Sequence, residues 1–274
     1  SGAIGGTAGV SAAVVTFTGK SSVKAEIAEN SIIYAGSDIT ITAIYRGNLY
    51  INSIGAAAGG VAGVGADSSV LVFESLVEAK SASSLTADTG SIVIYALSDS
   101  FVELAGSSIN GAGTAAVGAA IGVIVFKGKT HAYLASGINI TVGKDITIIA
   151  FSNEKITGAV AGIGGAGTAA VGGSVAVVVM NIETTAVIDD YVTVNANGTL
   201  TISAADKSDI ITVVGGVSAA GVASVGIAVE TTVYQNTVTA KIGNYNHVTV
   251  GAVNMTAVAE RKINSHGAMI SASG

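Results

Sequence analysis

The sequence predicts an all-β chain wound as a parallel β-solenoid, and three observations predict it. The octapeptide Gly-Ala-Gly-Thr-Ala-Ala-Val-Gly stands at residues 111–118 and again at 165–172, 54 positions later, with relaxed copies at Ala219–Gly226 and Ala58–Gly65. Two sets of markers carry the same period along the chain. Phe17, Phe73, Phe126, Met180 and Tyr234 recur at intervals of 56, 53, 54 and 54, and Ala43, Ala96, Ala150, Ala204 and Ala257 at 53, 54, 54 and 53. Within each repeat, β-branched residues alternate with period two, the signature of strands. Self-similarity at such a period marks an array of stacked units, none of which buries its apolar face alone.

The markers divide the chain into repeats near 1–50, 51–103, 104–157, 158–210 and 211–263, with the start of a sixth at 264–274. The ends fall inside the repeat, so a segment of a longer array is expected. The first half of each repeat is rich in Gly, Ala and Val and nearly uncharged. In the fourth repeat Val171, Gly173, Val175, Val177 and Val179 share one face, and Gly172, Ser174, Ala176, Val178 and Met180 the other. The second face carries Asp67 in the second repeat and Glu230 in the fifth. It is therefore expected to meet solvent, with the Val/Ile face inward.

The second half is more polar. Ile138, Ile140 and Val142 alternate with Asn139 and Thr141, and after Gly143-Lys144-Asp145 come Ile146, Ile148 and Ala150. The fourth repeat gives Val192 and Val194, then Asn197-Gly198, then Leu200, Ile202 and Ala204. Asn, Gly and Asp between alternating runs are turn chemistry. A 54-residue repeat divides into two coils of about 27, each with three strands, and ten such coils at roughly 4.8 Å give a rod of about 50 Å.

Composition agrees with strands. Half of the 274 residues are hydrophobic, 5% are aromatic, and there is no Pro, Cys or Trp. Without proline every strand residue keeps its donor. Without cysteine there is neither a disulfide nor a thiolate site. The net charge of −6, with 12 scattered Lys and Arg, excludes the basic stripe that nucleic acid requires. Residues 1–19 do not read as a secretory signal, having no basic n-region.

The motifs with chemical meaning are few. Gly162-Ile-Gly-Gly-Ala-Gly167 matches a dinucleotide fingerprint, and Glu183 stands about where the acid belongs. The motif needs a following helix, whereas here period-two alternation follows. The uncharged runs 104–126, 158–182 and 211–229 meet the length of a membrane helix but hold little Leu or Phe, and the segments between them show no Lys/Arg asymmetry. His131, His247 and His266 fall at unrelated repeat positions, so no zinc site is expected. Asp189-Asp190 sits at an expected turn and reads as solvated. Gly172-Gly-Ser174-Val-Ala176 misses the last glycine of a nucleophile elbow. Asn139, Asn197 and Asn254 open formal glycosylation sequons. A saccharide-processing solenoid would line a groove with charges across successive coils. The charges are read as out of step with the 54-residue period, so no such row is expected.

The stretch Gly158–Ala204, GAVAGIGGAGTAAVGGSVAVVVMNIETTAVIDDYVTVNANGTLTISA, resembles the repeats of very large secreted exoproteins of Gram-negative bacteria, the fusobacterial leukotoxin and filamentous-haemagglutinin-like adhesin family. The resemblance runs over essentially the whole chain. It implies a right-handed parallel β-helix, export by two-partner secretion, a secreted or cell-surface location, and a virulence role as adhesin or toxin. The expected function is a non-catalytic structural or adhesive rod. The alternative is a cytotoxin segment whose uncharged runs act on host membranes. Expected partners are a host cell surface or other bacteria, with lateral or end-to-end self-association open. No catalytic, cofactor-binding or metal-ligating residue is assigned, and no cofactor is implied.

Overall fold

A computed structural model describes all of residues 1–274. The chain is all β and winds as a parallel solenoid of three sheets. The first sheet contains the long strands β2 (Ala8–Ile27), β5 (Ala62–Ser81), β8 (Ala115–Leu134), β11 (Ala169–Ile188) and β14 (Ala223–Ile242). The second is narrow, made of β3 (Ile32–Ala35), β6 (Ser84–Ala87), β9 (Asn139–Val142), β12 (Thr193–Ala196) and β15 (His247–Thr249). The third returns the chain through β1 (Gly2–Gly5), β4 (Ile39–Gly59), β7 (Ile92–Ala112), β10 (Ile146–Ala166), β13 (Thr199–Ala220) and β16 (Ala252–Ser273). All pairings between neighbours are parallel.

The register corrects the expected winding. Ile146 lies beside Leu200 in the third sheet and Ala169 beside Ala223 in the first, 54 residues apart in both. Each repeat is therefore one wide winding of two long strands and one short, not two coils of about 27. The physical reason is where the turn residues sit. Val171–Ile188 and Leu200–Ala220 each run through without a Gly-Asp or Asn-Gly break, so nothing bends the strand midway. Five windings at about 4.8 Å make a stack of about 24 Å, half the expected rod.

The cross-section is a wedge. At the wide end the three sheets enclose an apolar core that includes Ile92, Ile94, Leu134, Ile140, Ile148, Val194 and Ile202. A second core lies between the two long sheets, around Leu71, Val102, Leu104, Ile124, Phe126, Ile156, Val178 and Met180. Beyond it the sheets converge until their backbones touch. A Cβ on Gly162 would stand 1.9 Å from the carbonyl oxygen of Gly173, and one on Gly172 2.0 Å from that of Val217.

This taper inverts the expected faces. Gly172, Ser174, Ala176, Val178 and Met180 point inward, whereas Val171, Val175, Val177 and Val179 lie on the outer face, half-buried by their neighbours. Asp67 is 2% exposed, and Glu230 also faces inward, its carboxylate accepting hydrogen bonds from Thr232 and Ser265. Where two sheets meet at backbone contact, only small side chains fit between them, so the branched residues must be outside. The inner face was legible as the one with glycine, not the one with valine.

The alanine marker holds as one column, Ala43–Ala96–Ala150–Ala204–Ala257. The aromatic marker is displaced at its start, because Gly19, not Phe17, pairs with Phe73. The Phe17 ring leans over that glycine, 2.7 Å from where a Cβ would stand, and fills the column from two residues away.

Two glycines of the octapeptide have separate causes. Gly113, Gly167 and Gly221 turn the chain at the thin edge, where each would drive a Cβ to 2.1–2.3 Å from the carbonyl of the glycine one winding earlier. Gly118 and Gly172 sit where the opposed sheet touches. The leading glycines, Gly111 and Gly165, meet nothing closer than 4.0 Å.

Candidate functional site

Three groups of polar side chains are brought together by the winding. The first is a belt of charges on the outer faces, between the apolar thin edge and the wide end. In the first sheet Lys20, Glu74 and Lys127 share a column, with contacts of 3.9 and 3.2 Å. Beside them Lys24 meets Glu78 at 3.4 Å, Glu26 meets Lys80 at 2.7 Å, and Lys129 meets Glu183 at 3.1 Å. The hydrogen bond to Glu26 is the main cause that raises the Lys80 amine. In the third sheet Arg46, Asp99, Asn153, Lys207 and Glu260 share a column. The charges therefore do line up with the repeat, contrary to expectation. Neighbours along a column mostly alternate in sign, and in the first sheet they form ion pairs. The more exposed of these pairs, those of Lys20 and Lys127 with Glu74, contribute little stability each, and the columns leave no one-signed groove.

The second group is buried. A polar seam runs between the two apolar cores: Ser98, Ser100, Ser152, Glu154, Asp206 and Ser208 from the third sheet, Thr130 and Thr184 from the first. Asp206 accepts from Ser152 Oγ at 2.5 Å, Asn236 Nδ2 at 2.7 Å, Ser208 Oγ at 3.0 Å and Tyr234 OH at 3.2 Å. Four donors on one carboxyl compensate its removal from water. Glu154 is less well served. Ser98 Oγ donates to its Oε1 at 2.9 Å, and Oε2 has no partner. Burial, reinforced by the neighbouring Asp206 and Asp99, pushes its pKa up to about 8, so at neutral pH it is predominantly a neutral acid. Ser152 also meets Thr184 across the seam at 2.8 Å.

The third group is at the corner between the first and second sheets. Tyr191 and Tyr245 stack with centroids 5.0 Å apart and planes at 13°. Both have left-handed backbone, φ 60 and 56°, as do Asn30 and Gly137 at the same corner of other windings. Asp189-Asp190 lies here, at the turn where it was expected. Asp190 Oδ1 accepts the Asn244 amide at 2.6 Å. Burial, then its neighbour Asp190, raises the Asp189 carboxyl.

The remaining motifs fall on strands. Gly162–Gly167 closes β10 and turns into β11, so the helix that would receive a pyrophosphate is replaced by a strand. Each uncharged run spans parts of two long strands and the turn between them, and no helix is long and apolar enough to cross a membrane. Ser174 is buried, its hydroxyl donating to Gly215 O. His131 stands 3.5 Å from Glu183, and burial chiefly lowers its pKa. His247 and His266 belong to the second and third sheets, and no group of three His, Cys, Asp or Glu side chains gathers to hold a metal.

The buried seam escaped sequence analysis, although its signal was present. Ser98, Ser152 and Asp206 recur at the repeat interval in the same inward alternation as Ala150 and Ala204, so these polar residues had to be inside. Chemically, the belt offers paired charges, the seam a closed hydrogen-bond network, and the corner an exposed aromatic pair beside amides and carboxyls. No family model matches the chain, and neither a curated protein nor a solved structure matches it.

Proposed function

We propose that the chain is a non-catalytic structural and adhesive rod segment of a large secreted or cell-surface bacterial exoprotein. The observation that carries this is the in-register stacking of like residues. Along the thin edge like outward side chains, such as Val10, Val64, Val117, Val171 and Val225, repeat at about 4.8 Å, so one weak contact is multiplied along the stack. A scaffold of this kind supplies multivalency, which raises avidity without any strong single site. Supporting it, two acids that the fold brings into one neighbourhood, Glu154 and Asp206, are walled in by two apolar cores. The sequence resemblance points the same way and adds export through an outer-membrane pore.

A second reading, a cytotoxin segment acting on host membranes, is favoured by the uncharged outer faces of the thin edge. The test is to present the purified chain to cultured host cells and, separately, to dye-loaded liposomes. Saturable cell binding without dye release is expected. Dye release at the same concentrations overturns the adhesive reading in favour of the toxin, and turnover of a saccharide substrate overturns both.

A further inference from the structure

The thin edge of the wedge is apolar on both outer faces, and the two faces differ in relief. On the first sheet, six successive outward columns, from Ala8–Ala223 to Thr18–Val233, contain no charged residue on any of five strands. Four of these columns are ridges of β-branched side chains, the one through Ile121 interrupted only at Ser68. Val117 and Ile121, central members of two of them, are 39% and 44% exposed although strands flank them on both sides. On the third sheet a groove lies beside the branched outward column Ile109–Ile163–Val217–Ile270. Ala105, Ser107, Ala159, Ala161 and Gly215 floor it, Ile54 and Val213 stand at its two ends, and its volume is about 340 Å³, lined mainly by apolar atoms.

From these we infer that the thin edges of two copies of this chain pack side by side, the Val/Ile ridge of one seated in the Ala/Gly groove of the next. The area suffices. Eleven residues at about 3.3 Å by five strands at about 4.8 Å give a face of roughly 860 Å², near the roughly 800 Å² per partner of a stable interface. The relief suits it as well, since stacked sheets approach to about 10 Å only when large residues meet small ones. A lipid-facing surface has no use for a floor of alanine and glycine, whereas a ridge does. Ridge and groove lie on opposite faces of one molecule, so the contact is head-to-tail and does not close. It extends into laterally associated rods, whatever those rods bind.

Sedimentation velocity over a concentration series tests this, with Ile121→Lys on the ridge and Ala161→Lys in the groove. Both positions point outward, and far-UV circular dichroism checks the fold. Should Ile121→Lys not fold, Val117→Lys replaces it. The wild-type chain is expected to associate, and each variant alone to do so at least about tenfold more weakly, the least effect of an unpaired ammonium in a desolvated contact. Mixed together, the two variants are expected to form a one-to-one dimer, because each retains the face the other has lost. A wild-type chain that stays monomeric throughout overturns the inference. So does a mixture that fails to pair, or a monomer that floats with phosphatidylcholine vesicles. Cell binding by that monomer would leave the adhesive reading standing.

Discussion

Replacing Glu154 by glutamine is expected to stabilise the protein, and by an amount set by pH. The Glu154 carboxyl is buried among Ser98, Ser100 and Asp206, and its pKa is raised from 4.5 to about 8. Between those values the folded chain holds a proton that the unfolded chain has released. The unfolded state binds fewer protons, so stability falls as pH rises from 4.5 to about 8 and is level beyond. At about 1.4 kcal/mol per pH unit, the cost is about 3 kcal/mol at pH 7 and about 5 kcal/mol once the window is passed. Glutamine keeps the shape and the bond from Ser98, places an NH2 where Oε2 lacks a partner, and does not titrate. Urea unfolding followed by circular dichroism, from pH 5 to 8.5, reads the difference between the two chains. Other carboxyls cancel in that difference. It is expected near zero at pH 5 and several kcal/mol in favour of Glu154→Gln at pH 8. A variant that is less stable than wild type at pH 8 would refute the reasoning, because the carboxyl would then be compensated by partners that glutamine cannot keep.

Two further outcomes follow from packing and burial. Gly172→Ala puts a methyl 2.0 Å from Val217 O and 2.7 Å from Gly162 O, backbone on both sides, and is expected to cost about 3 kcal/mol in urea unfolding. Gly165→Ala, seven residues earlier in the same octapeptide, meets only Asn110 O at 4.0 Å and is expected within about 0.5 kcal/mol of wild type or better. Equal losses at both sites would mean that the taper is not where the sheets touch. The His131 imidazole is expected to titrate below its ordinary 6.5 in an NMR pH series, since burial outweighs Glu183. A lowered histidine pKa gives stability that is present above 6.5 and is lost as the pH falls below it. A titration midpoint at or above 6.5 would show that Glu183 wins.

Much of this architecture was legible in the sequence. The alanine column and the octapeptide gave the period, and turn residues such as Gly143-Lys144-Asp145 and Asn197-Gly198 marked corners between strands. Period two was read correctly as strand, but alternation alone does not say which face is inside. Valine outranks glycine as a core former in general, and that preference misled. The sheets here close to backbone contact, so the inside belongs to Gly172 and Gly162. The lone Asp67 and Glu230 looked like solvent markers for the same reason, although each has hydrogen-bond partners between the sheets. The number of residues per winding was missed because strands of 20 residues are far longer than the usual 5–6, and the shorter coil was assumed. The charge belt was missed because its columns mix Lys with Glu, so a search for like residues at the period passes over them.

The central claim is that one winding takes about 54 residues and turns the branched aliphatic residues of its thin edge outward. The chain has no cysteine, so a single introduced pair can be read cleanly. Val123 and Val177 are outward neighbours on β8 and β11, about 4.8 Å apart, within disulfide reach. Replacing both by cysteine and oxidising under native conditions should give a near-complete intramolecular bridge. Failure to bridge in a folded chain, with cysteines at 123 and 150 bridging instead, would mean windings of half this length and would contradict the account.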